Sequence, residues 1–283
     1  MSTLEPTRRI QRILVAVDTS QPSRAALQAA VDLAGQLEGE LVGMFVEDEN
    51  LIRMAGISFT REIRQYSSAA SKCTAEDIRR QLQVRARRAQ QLVSRLAEQA
   101  GVPYSFRIER GQVNQALISA AGESDLITLG RAGHSKTTHR QLGSTAETVL
   151  RQASRSVMVL ERGVRLHPPI VVLYDGSAAG EKALEIAGQL TAATDYEAVS
   201  VVVFDPTGKA AQDLEKQALE TLQAFDVPAS FQITETFTAR QFVHIIESLR
   251  SGLVLAPASL LDTYSEELQR LLTNVVTPIL FVR

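Results

Sequence analysis

The chain has 283 residues with one cysteine and no tryptophan, and its 30 Lys/Arg and 32 Asp/Glu leave a net charge of −2. One cysteine excludes a disulfide framework within the chain and any multi-cysteine metal site, and the charge balance is too even for a nucleic-acid-binding protein, which usually carries a strongly basic surface. No apolar run approaches the roughly 20 residues that cross a bilayer, and the opening MSTLEPTRRIQR precedes no apolar run long enough for a signal peptide, so we expect a cytoplasmic protein with no membrane contact.

The first half of the chain alternates short apolar runs with amphipathic segments. Because the apolar runs are rich in Val, Leu and Ile, they are typical of strands that are covered on both faces. The pattern predicts strands near 12–18, 40–46, 103–109, 124–129 and 156–160, and helices near 23–37, 75–100, 112–122 and 144–153. This alternation predicts a five-stranded parallel, doubly wound α/β sheet with flanking helices.

Residues 47–77, EDENLIRMAGISFTREIRQYSSAASKCTAED, form an insertion between the second strand and the second helix. A connection of this length is often functional or has a packing role. Its apolar stretch LIRMAGISF predicts either a docked helix or lid, or a segment that covers exposed core. In the helix that follows, the arginines at 79, 80, 85, 87, 88 and 95 are expected on the solvent side, with Leu82, Val84, Ala89, Leu92 and Leu96 inward.

The second half repeats the first. RILVAVDTSQPSRAALQAAVDLA, from Arg12, matches PIVVLYDGSAAGEKALEIAGQLT, from Pro169, with Asp18 opposite Asp175 and Ser20 opposite Ser177. The repeat predicts strands near 169–174, 197–204, 229–234, 252–256 and 278–282, and helices near 179–193, 209–225, 239–249 and 264–273. We therefore predict two tandem domains, at 8–161 and 169–283, joined by a short proline-containing linker.

The two halves differ in charge. Residues 1–162 carry 22 Lys/Arg and 17 Asp/Glu, a net charge of +5, whereas residues 163–283 carry 8 and 15, a net charge of −7. Because the summed field of a domain biases where anions accumulate, an anionic ligand is expected on the first half.

A glycine pattern follows the fourth predicted strand. LGRAGHSKTTHRQLGST spans residues 129–145, with Gly130, Gly133 and Gly143 in the arrangement G-x2-G-x9-G and Ser144 at the start of the next helix. Glycines let a backbone approach a phosphate chain closely, and a helix N-terminus favours an anion, with Ser144 available to cap the helix. Doubly wound sheets bind ligands at the carboxyl ends of their strands, where the strands that end in AVDTS and MFVED also finish.

With this motif, a strand ending in Asp18 and the tandem domain order, the chain resembles the universal stress protein family over nearly its whole length. The resemblance implies ATP binding, with Mg²⁺ arriving with the nucleotide, and pairing of the two domains through their final strands as a pseudo-dimer. It also implies the ligand contacts. These are Ala16, Val17 and Asp18 at adenine and ribose, Val46 beside the base, Leu129, Gly130 and Gly133 at ribose and phosphates, and Gly143, Ser144, Thr145 and Ala146 along the phosphates.

Two of these features leave alternatives open. Asp18 can contact the ligand or serve as a turn residue that accepts hydrogen bonds from its own backbone. His134, Lys136, His139 and Arg140 can add positive charge near the phosphates or remain ordinary surface side chains. No catalytic residue and no metal ligand is predicted, since His167 and His244 have no partners at ligand spacing.

The second half lacks the glycine motif. Its fourth strand runs into GLVLAPASLLDTYSEEL, which puts Pro257 at the position of Gly130 and Tyr264 at that of Gly143. Proline removes a backbone donor where a phosphate cradle needs one. We therefore expect one nucleotide site per chain, in the first half.

The predicted function is an ATP-binding stress-response or regulatory protein that acts through an unidentified protein partner. A further homodimer of the tandem chain stays open. Two other functions are also open: a slow ATPase or adenylate-forming relative, and a ligand-free interaction module. Against the enzyme, the sequence lacks GxxxxGK[ST] and an SGGxDS-type loop.

Overall fold

The computed structural model describes residues 10–55, 61–62, 71–72, 74–131, 142–161, 163–194, 198–208 and 210–283. Several residues named above lie outside these ranges: Gly133, His134, Lys136, His139 and Arg140. The single cysteine of the chain, Cys73, also lies outside them.

Strands and helices alternate along the described chain as the apolar pattern predicts. The first half contains β1 (Arg12–Ala16), α1 (Gln21–Gln36), β2 (Glu40–Asp48), α2 (Glu49–Ala55), β3 (Arg61–Glu62), β4 (Ser71–Lys72), α3 (Ala75–Ala100), β5 (Tyr104–Gly111), α4 (Val113–Ala121), β6 (Leu126–Gly130), α5 (Ser144–Gln152) and β7 (Ser156–Leu160). The second half contains β8 (Ile170–Tyr174), α6 (Ala178–Ala192), β9 (Val199–Phe204), α7 (Ala211–Gln223), β10 (Ala229–Thr234), α8 (Ala239–Ser248), β11 (Leu253–Pro257), α9 (Leu260–Thr263), α10 (Ser265–Asn274) and β12 (Ile279–Val282).

Among the described residues, ten strands form one sheet in the order β10-β9-β8-β11-β12-β7-β6-β1-β2-β5. Each half contributes five strands that pair in parallel, and the halves meet where β12 pairs antiparallel with β7, Leu280 opposite Met158. The predicted doubly wound α/β fold and the pairing of the halves through their final strands are confirmed. The short strands β3 and β4 form a separate antiparallel pair within the 47–77 insertion.

Helices cover both faces of the sheet because strand side chains alternate between two apolar layers. Ile13 and Val15 of β1 belong to one cluster, which includes buried residues of α1, α3, α6 and α7. Leu14 of the same strand belongs to the other cluster, which includes α4, α5, α8 and α10. Both clusters draw on both halves of the chain, so the two core layers continue across the β7–β12 junction.

Local signals fix the ends of the main helices. Ser20 caps α1 and Ser177 caps α6 at equivalent positions, and Thr74 caps α3 through a reciprocal pair of hydrogen bonds with Asp77. One orientation on α3 differs from the prediction: Val84 is 43% exposed rather than buried. The buried positions of α3 follow the stripe of Leu82, Ala86 and Ala89, and a residue two positions after Leu82 lies about 200° around the helix from it.

In the insertion, α2 occupies the first part of the predicted apolar helix. It packs against α3, and Ile52 is partly buried against the core. In the part of the chain that the structure describes, no helix is long and apolar enough to cross a membrane.

Candidate functional site

A cavity of about 360 Å³ opens at the carboxyl ends of β1, β2 and β6. Ten of the eleven residues predicted to bind the nucleotide line it: Ala16, Val17, Asp18, Val46, Leu129, Gly130, Gly143, Ser144, Thr145 and Ala146. Gly133, the eleventh, lies outside the described residues. Residues from four separate segments of the sequence therefore meet at one place.

The strand order explains why they meet. β1 lies between β2 and β6. The helix that follows β1, α1, packs in one core layer and the helix that follows β6, α5, packs in the other, so the two connections lead to opposite faces of the sheet. Such a reversal of strand order leaves a crevice at the carboxyl ends of the strands. Because neighbouring strands lie about 4.8 Å apart, the ends of β2 and β6 are separated by about 10 Å. The cavity thus has one side formed by β2 and another formed by the turn into α5.

The α5 side of the cavity presents backbone donors. Gly143 is the cap residue of α5, and no side chain among the described residues caps this helix. The Gly143 N–H donates to the Arg131 carbonyl oxygen at 2.7 Å, which joins the two ends of the segment between them. The prediction that Ser144 caps the helix is wrong, because Ser144 is already the first helical residue and its hydroxyl makes no cap hydrogen bond. The uncapped first turn of α5 suits an anion, since its N–H groups and the helix dipole both favour negative charge.

Asp18 has the turn role that the sequence left as an alternative. Its Oδ1 accepts the Ser20 N–H at 2.9 Å, and in the second half Asp175 Oδ1 accepts the Ser177 N–H at 3.0 Å. The hydrogen bond thus builds the strand-to-helix turn in both halves. Asp18 also lines the cavity, so a contact with a ligand is compatible with its place in the turn.

Gly130 has a packing role that the motif does not reveal. A Cβ built on Gly130 would lie 2.7 Å from the carbonyl carbon and Cβ of Pro22, and 2.8 Å from the Pro22 carbonyl oxygen. The end of β6 and the first turn of α1 are therefore in close contact. Glycine at this position is required by the neighbouring helix, whatever else its backbone contacts.

Several residues that line the cavity were not predicted from the sequence. Met44 and Leu117 add apolar surface, Asp48 adds a carboxylate, and Arg85 and Arg131 bring positive charge. Arg131 is 3% exposed and pairs with Glu161 at 3.5 Å. Arg85 is exposed, as expected for the solvent side of α3, and it lines the cavity as well. The available signal was its position one turn after the buried Leu82, which also lines the cavity.

The second half fills the equivalent space with aromatic rings. The Tyr264 ring centroid lies 5.5 Å from that of Phe204 and 4.9 Å from that of Phe237. Tyr264 is the cap residue of α10, as Gly143 is of α5. Phe204 occupies the position equivalent to Val46. In the first half Gly43 pairs with Val15, and in the second half Val201 pairs with the equivalent residue, Val172. Val46 follows Gly43 by three positions, as Phe204 follows Val201.

Hydrogen bonds to Asp205 stabilise the turn that follows β9, next to this cluster. Asp205 follows Phe204, and its carboxylate accepts hydrogen bonds from the Thr207 hydroxyl at 2.7 Å and the Ala210 N–H at 2.7 Å. The bonds to Thr207, followed by that to Ala210, stabilise the charged form and lower the pKa of Asp205 to about 2. This carboxylate therefore organises the turn into α7.

The described residues contain no cluster of three or more His, Cys, Asp and Glu side chains that could hold a metal ion. This finding covers His167 and His244, which lie in the described ranges.

Comparison with known proteins identifies the family. The family model described as "Universal stress protein family" matches residues 9–161. A universal stress protein from Mycolicibacterium smegmatis is 26% identical over 203 residues, which cover 69% of this chain and 65% of that relative. The match thus spans just under two thirds of the relative's length.

A solved universal stress protein shares the fold of this chain. A universal stress protein from Archaeoglobus fulgidus DSM 4304 superposes with a TM-score of 0.72 at 18% identity, covering 96% of this chain and 98% of that one. A universal stress protein solved in complex with cAMP is 20% identical, covers 55% of this chain and 100% of its own, and has a TM-score of 0.40. From the matched family model, the chain belongs to the universal stress protein family.

Proposed function

We propose that the first half of the chain binds one molecule of ATP and that the protein acts as a nucleotide-dependent regulator. The observation that carries this proposal is the uncapped N-terminus of α5, which meets a cavity at the point where strand order reverses. Backbone N–H groups at such a helix end supply donors for a phosphate chain without the need for a charged side chain.

The rest of the cavity suits the nucleoside. Its volume of about 360 Å³ lies within the usual range for small-molecule sites, roughly 300–1,000 Å³. Met44, Val46 and Leu117 provide apolar surface for a purine on the β2 side, away from the helix end. Asp48, at the end of β2, adds a carboxylate that can accept a hydrogen bond from an amino or hydroxyl group. Mg²⁺ would accompany the phosphates and keep several of its waters.

The aromatic cluster of the second half supports a stoichiometry of one. Tyr264 and Phe204 stand at the positions of Gly143 and Val46, where large rings take up the space that the first half leaves open. One nucleotide per pair of domains makes the chain asymmetric. Occupied and empty first halves would then present different surfaces to a protein partner, while the second half stays unchanged.

The proposal is tested by giving the first half the residues of the second. Val46→Phe with Gly143→Tyr fills the cavity with the same two rings, and Gly143 has φ −65° and ψ 149°, which any residue can adopt. Val84→Phe, at an exposed site on α3, is the matched control that adds an aromatic ring elsewhere. We expect calorimetric titration with ATP to give one site per chain for the wild type and the control, and none for the double variant.

The same titration separates the alternatives. No ATP binding by the wild type at millimolar nucleotide would overturn the proposal and favour a ligand-free interaction module. Tighter binding of cAMP than of ATP would reassign the ligand. Multiple turnovers to ADP that the double variant abolishes would favour a slow ATPase, whereas mass spectrometry of the purified protein that shows intact ATP would support a regulator.

A further inference from the structure

A second cavity lies beside the nucleotide site, between α1 and α3. Its volume is about 510 Å³, and we call it the arginine groove after its lining residues, Thr19, Arg24, Arg88, Gln91, Leu92 and Arg95. None of these residues lines the nucleotide cavity. The turn between β1 and α1 separates the two spaces, since Asp18 and Ser20 face the nucleotide cavity and Thr19 faces the groove.

The arginines of the groove converge from two helices. Arg88, Gln91, Leu92 and Arg95 lie at positions i, i+3, i+4 and i+7 of α3, which is one face of a helix. Arg24 comes from the first turns of α1 on the opposite side of the groove. Since a helix rises 1.5 Å per residue, Arg88 and Arg95, seven positions apart, are separated by about 10 Å along α3. Positive charge therefore extends along the groove instead of meeting at a single point.

Within the described ranges, no ion pair joins a carboxylate to Arg24, Arg88 or Arg95. Among the described residues, the arginines that form ion pairs are Arg12, Arg53, Arg107, Arg110, Arg131, Arg151 and Arg270. The carboxylates nearest in sequence to the lining residues accept hydrogen bonds from other groups: Asp18 accepts the Ser20 N–H at 2.9 Å, and Glu98 on α3 accepts the Tyr104 hydroxyl at 2.8 Å. Three like charges around one concave surface raise the local potential and concentrate anions.

The side chains that line the groove indicate which class of ligand it can bind. A guanidinium binds phosphate oxygens with two parallel hydrogen bonds, and Gln91 and Thr19 add neutral polar groups. Among the described residues, no aromatic side chain lines the groove, and this part of the lining offers no surface on which a nucleic-acid base could stack. Leu92 is the one apolar side chain that the described part of the lining contains, which is too little for a largely apolar ligand. Charge distributed over about 10 Å favours a chain of phosphates over a single one.

We propose that the arginine groove is a second anion site, which binds a short linear polyphosphate while the nucleotide cavity is occupied. This inference goes beyond the proposed ATP site, because it uses different residues. It does not depend on ATP binding.

The test measures binding of inorganic tripolyphosphate by calorimetry at low ionic strength, with saturating ATP present. We expect one additional site per chain. Arg88→Gln with Arg95→Gln should raise its dissociation constant about tenfold or more, since charge-assisted hydrogen bonds are lost while glutamine maintains the helix. Arg79→Gln with Arg87→Gln is the matched control, because it removes the same charge from exposed positions of α3 outside the groove and should leave the constant within about twofold.

The cavity-filled variant, Val46→Phe with Gly143→Tyr, separates failure of this inference from failure of the ATP proposal. It leaves every residue of the groove intact, so it should bind tripolyphosphate as the wild type does, even if ATP binds nowhere. If the groove variant and the control variant weaken tripolyphosphate binding equally, the proposed site is wrong, because binding then depends on the overall charge of α3 and not on the groove. Loss of tripolyphosphate binding in the cavity-filled variant, or tighter binding of a poly-glutamate peptide than of tripolyphosphate, would also overturn it.

Discussion

Replacing Gly130 with alanine tests whether the first glycine of the motif is needed for packing as well as for ligand approach. The added Cβ would lie 2.7 Å from the carbonyl carbon and Cβ of Pro22, whereas carbon atoms in optimal contact are about 3.5–4.0 Å apart. The end of β6 or the first turn of α1 must therefore move by nearly 1 Å.

The magnitude follows from what the methyl group meets. Two of its three closest neighbours are backbone atoms of α1, which cannot rotate away as a flexible side chain can. Overpacking of this kind costs about 1–3 kcal/mol. For a chain of 283 residues, a loss of about 1–3 kcal/mol lowers Tm by roughly 2–5 °C. Because Asp18 and Ser20 line the cavity and lie just before Pro22, the displaced helix would also disturb the proposed ATP site.

Thermal unfolding of the apo protein measures the packing effect without the ligand. Gly143→Ala is the control within the motif, since its backbone conformation is open to all residues and its stability should change by less than about 1 kcal/mol. Pro22→Ala should not rescue Gly130→Ala, because alanine keeps the Cβ and both backbone atoms. A wild-type Tm for Gly130→Ala, or full rescue by Pro22→Ala, would refute the packing role.

Three further predictions concern the second half and the junction. Tyr264→Ala should lower the free energy of unfolding by about 2–4 kcal/mol in denaturant titrations, through lost ring packing, and calorimetry should still find one ATP per chain. Asp205→Asn should reduce the acid sensitivity of the second half. The wild-type carboxylate stabilises the fold above its unfolded pKa of about 3.9 and loses this effect as the pH falls through its folded pKa of about 2. Circular dichroism should therefore show a shallower loss of structure for the variant than for the wild type between these two pH values. Arg283→Ala should destabilise the junction by about 1–2 kcal/mol, because its Nη2 donates to the Leu150 carbonyl oxygen at 2.7 Å across the two halves; equal urea midpoints for wild type and variant would contradict this.

Local patterns were sufficient to predict the main strands and helices. Apolar runs such as ILVAV indicate strands where both faces of a sheet are covered. Because the sequence around Asp18 is repeated around Asp175, each strand and helix of one half was supported by its counterpart in the other. The ends of α1 were less accurate. The prediction began at residue 23, whereas the helix begins at Gln21, because Ser20 caps it and Pro22 fits its first turn.

The features that the sequence did not predict depend on contacts between distant segments. Gly130 and Pro22 are in close contact although more than a hundred residues separate them in the sequence. Neither residue's local sequence predicts this contact. The aromatic cluster joins Phe204, at the end of β9, with Phe237 and Tyr264 from two connections, so the alignment of Tyr264 with Gly143 showed a lost glycine but not a filled space. Arg85 is one of six arginines on α3, and only the packing of that helix shows that it lines the cavity.

The antiparallel pairing of β7 with β12 also determines how the halves can be exchanged. Each half uses its final strand within the same chain, so neither offers that strand to another molecule. Separate subunits of a dimer can dissociate on dilution and recombine with other partners, whereas linked halves remain at an effective concentration of about millimolar or more. The first half, with its open cavity, and the second half, with its aromatic cluster, therefore stay in a one-to-one ratio at any expression level. Mixed assemblies with two open halves cannot form through this junction.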